Sequence, residues 1–451
     1  MRKILSLAVM LCLFTLAPVL AQEDDSPAEE AGGKGLELSW GIEGKAHYRD
    51  SELSKAPVML PPQVTPPPGG AFLETVDEGE HFEVSVLTLF LDAVWGESLA
   101  AHAKLDVIDL YDRNPTSEDH KFDVDEVWLR FGRESQPAVV PERPGIYVKV
   151  GKMPKWERQN DRHLESYGLV STAFNRFEDA GIELGADLGR HVYLRLSATQ
   201  GNPLFLRDPN ALAGDNGTSF FLTPPPGQTR PPLQSGFPIF YDAEVEDLDS
   251  DGDLELGGGL GFRTSWGTGA DGLDVLVWTY RRELADNVDL NGTFYGGDLD
   301  LLRGPLDLFP LPITSNDKEE IGGNFWLYLG GLSVFAQYVD QDLAGLGRVG
   351  LEGEVAYRFE LPVVWGLAGR QLFPTIAPAI RYSKLDPDYR TPPRFPAPSV
   401  AWEWEKLDYG VRVEIVEGVD LTLEYAANTF TLFSGRELTN DELLGTLRFK
   451  M

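Results

Sequence analysis

The sequence predicts an all-β chain, a transmembrane antiparallel β-barrel of about sixteen strands with long external loops, and three observations carry that reading. Segments of about ten residues alternate apolar and polar side chains, as a strand does when one face meets lipid and the other a polar interior. The connections between segments are short and long by turns, and the chain ends inside such a segment.

Ahead of the strands, residues 1–21 read as a secretory signal: Arg2 and Lys3, an apolar stretch from Ile4 to Leu16, and the small-residue site Val19-Leu20-Ala21. Residues 22–35 are acidic and small and are expected as a disordered leader, with the barrel over 36–451. Cys12, the only cysteine, falls in the apolar stretch, so no disulfide or thiol chemistry is expected of the mature chain. Beyond the signal no run approaches the roughly 20 apolar residues of a membrane helix. The formal net charge of −32 argues against a nucleic-acid partner and favours cations.

The first and last strands show the alternation best. Leu38, Trp40, Ile42, Gly44, Ala46 and Tyr48 share one face, with Glu37, Ser39, Glu43, Lys45 and His47 on the other. At the far end Leu443, Gly445, Leu447, Phe449 and Met451 alternate with Leu444, Thr446, Arg448 and Lys450. Between them strands are expected near 82–95, 99–111, 122–133, 146–153, 178–187, 191–200, 254–266, 272–283, 320–329, 332–340, 349–361, 374–384, 402–416 and 419–430. Gly96-Glu97-Ser98, Leu188-Gly189-Arg190, the Gly267 to Gly272 run, Gly330-Gly331 and Glu417-Gly418 make the short connections. Glu134 to Gly145 and Pro362 to Phe373 are longer than turns on that side usually are. Pro66-Pro67-Pro68 and Pro224-Pro225-Pro226 fall in long loops. Tyr48, Trp95, Tyr111, Trp266, Tyr338, Tyr382, Trp402 and Trp404 lie near strand ends, where amphipathic rings would form interfacial girdles.

The same alternation sends charges of both signs inward. The candidate pore-lining residues are Glu43, Lys45, Lys104, Asp106, Glu126, Arg130, Lys149, Glu183, Arg195, Glu354, Arg358, Arg381, Arg412, Glu414, Glu424 and Arg448. Hydrated, they would set a transverse field and an ion preference; paired across strands, they would only brace the wall. Asp247, Asp249, Asp251 and Asp253 surround Gly252 in a long loop, a spacing that can offer oxygen ligands to Ca2+. Where an EF-hand needs its bidentate Glu the chain has Gly258, so the alternatives are a solvated acidic loop or a divalent bridge to lipopolysaccharide phosphates. Scattered histidines and the lack of a nucleophile elbow point away from an enzyme.

Tyr147-Val148-Lys149-Val150-Gly151-Lys152-Met153-Pro154, a polar loop, and then Phe174-Asn175-Arg176-Phe177-Glu178-Asp179-Ala180-Gly181-Ile182 resemble Gram-negative porins of the phosphate-selective type. Ile380-Arg381-Tyr382-Ser383 and the last five residues look like later strands of the same class. The resemblance implies about sixteen strands, homotrimers and a pore constricted by an inward loop, for which Asn202 to Asp253 is the candidate. The family's basic substrate ladder is not recognisable here, and the C-terminal residue is Met451 rather than an aromatic, so the assembly machinery would read Phe449. The expected function is a passive outer-membrane channel, cation-preferring and without a resident cofactor. A plugged surface barrel that binds divalent ions or lipopolysaccharide and a polysaccharide-export barrel are the alternatives.

Overall fold

The computed structural model describes residues 35–52, 55–58, 71–74, 79–96, 98–108, 123–159, 161–174, 178–201, 234–235, 254–266, 271–283, 314–362, 365–367, 370–390 and 401–451. Sixteen long strands form one closed antiparallel sheet. In chain order they begin with β1 (Leu36–Ser51), β2 (Gly79–Trp95), β3 (Leu99–Ile108), β4 (Asp123–Gly132), β5 (Ile146–Pro154), β6 (Glu178–Asp187), β7 (Val192–Thr199) and β8 (Glu255–Ser265). They continue with β9 (Gly272–Glu283), β10 (Asp317–Leu329), β11 (Leu332–Leu343), β12 (Leu346–Tyr357), β13 (Thr375–Pro387), β14 (Glu403–Val416), β15 (Val419–Thr431) and β16 (Glu442–Lys450). Phe359–Glu360 and Glu437–Thr439 extend the same sheet. Each strand pairs with its neighbours in sequence, and β1 closes the ring by pairing with β16 as well as β2. The last residue takes part in the closure, since the backbones of Ile42 and Met451 exchange two hydrogen bonds of 2.9 Å.

Every segment read from the alternation coincides with one of these strands. The hairpin between β11 and β12 is tighter than the sequence suggests, because Ala344 and Gly345 both take positive φ, 58° and 86°, and turn the chain in two residues. Such a turn matches the right-handed twist of the strands it joins. The long connection between β4 and β5 folds back over the barrel end, where the Ala138 N–H donates to Asp274 Oδ2 at 3.0 Å. The connection between β12 and β13 contains its own two-residue ladder, Gly366–Leu367 against Arg370–Gln371.

Outward positions carry Leu38, Trp40, Leu256, Leu260, Val277, Ile321, Leu423 and Leu447, all exposed. Tyr48, Trp95, Trp266, Tyr338 and Tyr382 stand among the exposed outer aromatics, where girdles are expected. Trp402 and Trp404 do not; they point inward and are buried, with Trp404 Nε1 donating to Asn428 Oδ1 at 3.2 Å. Their place near a strand start resembles a girdle position in sequence, but on β14 the even residues face inside. Tyr111 lies outside the described residues.

Val277, in the middle of β9, is 56% exposed on the outer face. Val277→Arg is expected to lower the folding free energy in liposomes by about 2–4 kcal/mol, measured by denaturant titration; an unchanged midpoint would place that face away from lipid.

Candidate functional site

Pro154 ends the β5 ladder, since it donates no backbone hydrogen bond, and the chain turns from the wall into the interior. Residues 155–174 then cross the lumen, ending in a short helix α1 (Leu169–Ala173). Among the described residues this segment is an inward loop; apart from 234–235 the candidate Asn202 to Asp253 lies outside them, as do Asp247, Asp249, Asp251 and Asp253.

Its first part is fixed to β8–β11. Lys155 Nζ donates to Glu255 Oε1 at 2.7 Å, and Lys318 Nζ donates to the other oxygen of that carboxylate at 2.6 Å. The Trp156 ring stacks on Tyr280 at 5.6 Å, while the Tyr280 hydroxyl donates to Glu157 Oε2 at 2.7 Å. Asn324 and Gln337 donate their amide N–H groups to the Glu157 carbonyl.

Its second part is fixed to β12–β15 and β1, where wall carboxylates accept from the loop's backbone. The N–H of His163 donates to Glu354, those of Glu165 and Ser166 to Glu424, and that of Val170 to Glu352. Arg381, fully buried, donates to the Ser166 carbonyl at 2.9 Å and to Asp408 Oδ2 at 2.8 Å. Lys406 Nζ donates to the Tyr167 carbonyl at 2.7 Å. Glu165 accepts from Lys45 at 3.2 Å and from Arg412 at 2.8 Å. Burial opposes its charge, but Lys45, Arg412, Arg162 and Arg448 outweigh that and hold the Glu165 carboxyl far below the usual carboxylate range.

Under the loop lies a dry core. Leu169, Val170 and Phe174 pack with Leu276, Trp278, Trp326, Phe335, Val339 and Trp404 from the inner wall. The fit is close at Gly168, where an added Cβ would stand 1.8 Å from Glu352 Oε2. The opposite side is different. Lys45, Lys104, Arg130 and Arg448 keep 20–23% of their side-chain surface accessible, and Asp92 keeps 44%. Among the described residues, then, the inner wall under β8–β15 is packed, while β1–β4 and β16 carry several charges that stay partly accessible.

Of the residues singled out from the sequence, Glu43, Lys45, Lys104, Asp106, Glu126, Arg130, Lys149, Glu183, Arg195, Glu354, Arg381, Arg412, Glu414, Glu424 and Arg448 lie on inward strand positions. The loop gathers Lys45, Glu354, Arg381, Arg412 and Glu424, whereas Lys104, Arg130 and Lys149 pair with Asp125 or Glu134 on the opposite side. Arg358 lies just past the end of β12, exposed, between that strand and the Phe359–Glu360 extension of the same sheet. The loop's own Lys155, Glu157, His163, Glu165 and Ser166 carried no signal, because period-two reasoning has nothing to say about a segment that is not a strand. Arg348, Glu352, Lys406 and Asp408 obey the inward parity and were legible in principle.

These features define a closed sixteen-stranded antiparallel barrel with an inward loop between β5 and β6. No family model and no curated protein matches the chain. Among solved structures it is similar to the outer-membrane channel DcaP of Acinetobacter baumannii, with TM-score 0.50 and 10% identity over 92% of this chain and 98% of that one. The trimer form of OmpT of Vibrio cholerae gives 0.47 and 10% over 93% and 100%. The anion-selective porin of Comamonas acidovorans gives 0.45 and 10% over 92% and 100%. At this identity the likeness is one of fold.

Gly168→Ala is expected to destabilise the barrel by about 1–3 kcal/mol through overpacking against Glu352, read as a lower thermal transition; a neutral result would mean the loop is not seated on β12. Glu165, with its pKa depressed on folding, contributes stability that is complete above about pH 4.3 and declines as pH falls from there through the folded value. In acid titrations Glu165→Gln should therefore narrow the difference in stability between pH 7 and pH 3; an identical acid profile would count against the pairing.

Proposed function

We propose that this protein is a passive, water-filled channel in the outer membrane of a Gram-negative bacterium, admitting small hydrophilic solutes and ions with a preference for cations. The observation that supports this reading is the uneven interior among the described residues: a loop fixed across the barrel packs under β8–β15, while charges of both signs on β1–β4 and β16 keep part of their surface accessible. Charges so placed stay hydrated, set a field across the passage and make transit of polar solutes favourable. The excess of acid over base, a net −32, raises the local concentration of cations at the mouths. In this reading the exposed outer band is covered by lipid and lipopolysaccharide, the chain is inserted by the barrel-assembly machinery, and three copies associate. Asp247, Asp249, Asp251 and Asp253 are proposed to hold Ca2+ in an external loop.

The extent of the packed wall favours one competing reading, a barrel that is plugged and serves as a surface binding protein. Planar-bilayer recordings of the refolded protein decide between them. Discrete steps, with a reversal potential in a salt gradient that favours cations, are expected. A heat-modifiable barrel that never conducts would establish the plugged reading, and anion-favouring reversal would remove the cation preference.

A further inference from the structure

Where the second part of the inward loop meets the wall, three side chains from separate parts of the chain stand in one hydrogen-bonded row. His163 comes from the loop, Glu354 from β12 and Ser333 from the start of β11, just after the Gly330-Gly331 connection. Glu354 Oε1 accepts from His163 Nδ1 at 3.0 Å, and His163 Nε2 lies 3.4 Å from Ser333 Oγ.

An ionised carboxylate only accepts hydrogen bonds, so Nδ1 carries the imidazole proton and Nε2 presents its lone pair to the serine hydroxyl. The same Glu354 oxygen also accepts from the His163 backbone N–H at 3.0 Å, which fixes the residue as well as its ring. Arg381 Nη1 stands 3.6 Å from the other oxygen, and the carboxylate is buried. His163 keeps 22% of its side-chain surface accessible, and Ser333 is half-buried. A buried acid, an oriented imidazole and a reachable hydroxyl are the parts of a serine nucleophile activated by a base. His102 shows the contrast. It too has a carboxylate at Nδ1, Asp92 at 2.7 Å, but a second carboxylate, Glu126, rather than a hydroxyl, lies toward its Nε2.

Beyond the channel reading and independent of it, we propose that Ser333, His163 and Glu354 form a hydrolytic site for small carboxylic esters. Ser333 Oγ bonds to the ester carbonyl carbon as its proton passes to His163 Nε2; the alcohol leaves with that proton, and Ser333 is acylated. Water then adds to the acyl carbon, its proton passing to Nε2 and on to Ser333 Oγ as the carboxylic acid departs. Ser333 and His163 are the catalytic residues, and Glu354 is a positioning residue. Across from Ser333 lie Ala356 on β12 and Tyr328 on β10. The hydroxyl thus stands between a methyl group and a ring, which suits a short apolar acyl chain. With 170 residues between the histidine and the serine, only the fold brings the row together.

The refolded protein is treated in detergent with a fluorophosphonate, from which a serine activated in this way displaces fluoride, and with p-nitrophenyl acetate as substrate. One adduct on Ser333, located by peptide mass spectrometry, is expected together with saturable ester hydrolysis. Ser333→Ala removes only the hydroxyl and is expected to lower the rate at least about a hundredfold, as is His163→Ala, while Ser265→Ala, at an exposed strand end, leaves it unchanged. Heat-modifiability confirms that each variant is folded. Glu354→Gln keeps the shape of the side chain without its charge and is expected to move the acid limb of the rate–pH profile to lower pH. A merely structural loss would scale the profile and leave that limb in place, which would remove Glu354 from the assignment. No adduct on the folded protein, an adduct at another serine, or hydrolysis undiminished in Ser333→Ala overturns the proposal. A protein that conducts without being labelled retires this site alone, and one that is labelled without conducting retires the channel alone.

Discussion

Inside a bilayer there is no water to satisfy backbone N–H and C=O groups, each of which costs several kcal/mol when left unpaired. A sheet can meet that demand only by having no edges, so β1 must find β16. The closure is built into both strands: Phe449 lies across Gly44 on the outer face, where the glycine leaves room for the ring, an arrangement that pins register as well as covering bare backbone. Once the ring is closed, every second residue of sixteen strands is committed to the interior. What fills that interior decides what the barrel can do.

The interior is filled unevenly, and charge explains how. Residues such as Arg381, Lys406 and Asp408 are wholly buried, and isolated ions so placed would be strongly destabilising. They are tolerated because Arg381 and Lys406 both pair with Asp408, and because residues 155–174 bring the Ser166 and Tyr167 carbonyls to the two cations. The wall recognises the loop's main chain and the close approach at Gly168 more than its side chains. Side chains add to this: Lys155 and Glu157 anchor the loop to β8 and β9, and Glu165, held between Lys45 and Arg412, ties it to the strand that closes the barrel. Because these anchors fall on β8–β15 and β1, the remaining space is displaced to the other side.

How legible each feature was in the sequence follows from how local its cause is. The strand set was legible because lipid imposes one rule on every strand; Leu38 to Tyr48 display it without reference to anything distant. The tight turn at Ala344-Gly345 was obscured because its polar flank, Asp340 to Asp342, reads like the beginning of a loop although the strand continues beyond the girdle. Trp404 was misplaced for the reverse reason, a ring near a strand start whose parity, inward on β14, had to overrule its position. The inward loop was invisible since its course depends on Glu352, Glu354 and Glu424, which lie 180 to 260 residues away in the chain on the evidence of Val170, His163 and Glu165.

The uneven interior is tested most directly by cysteine accessibility. In a background lacking Cys12, the only cysteine, single cysteines at Asp92, Arg130, Gln337 and Asp408 are treated with a water-soluble methanethiosulfonate reagent while current is recorded. Rapid modification with a change in conductance at Asp92 and Arg130, and none at Gln337 or Asp408, is the predicted result. Equal modification at all four positions would mean that the loop does not partition the barrel.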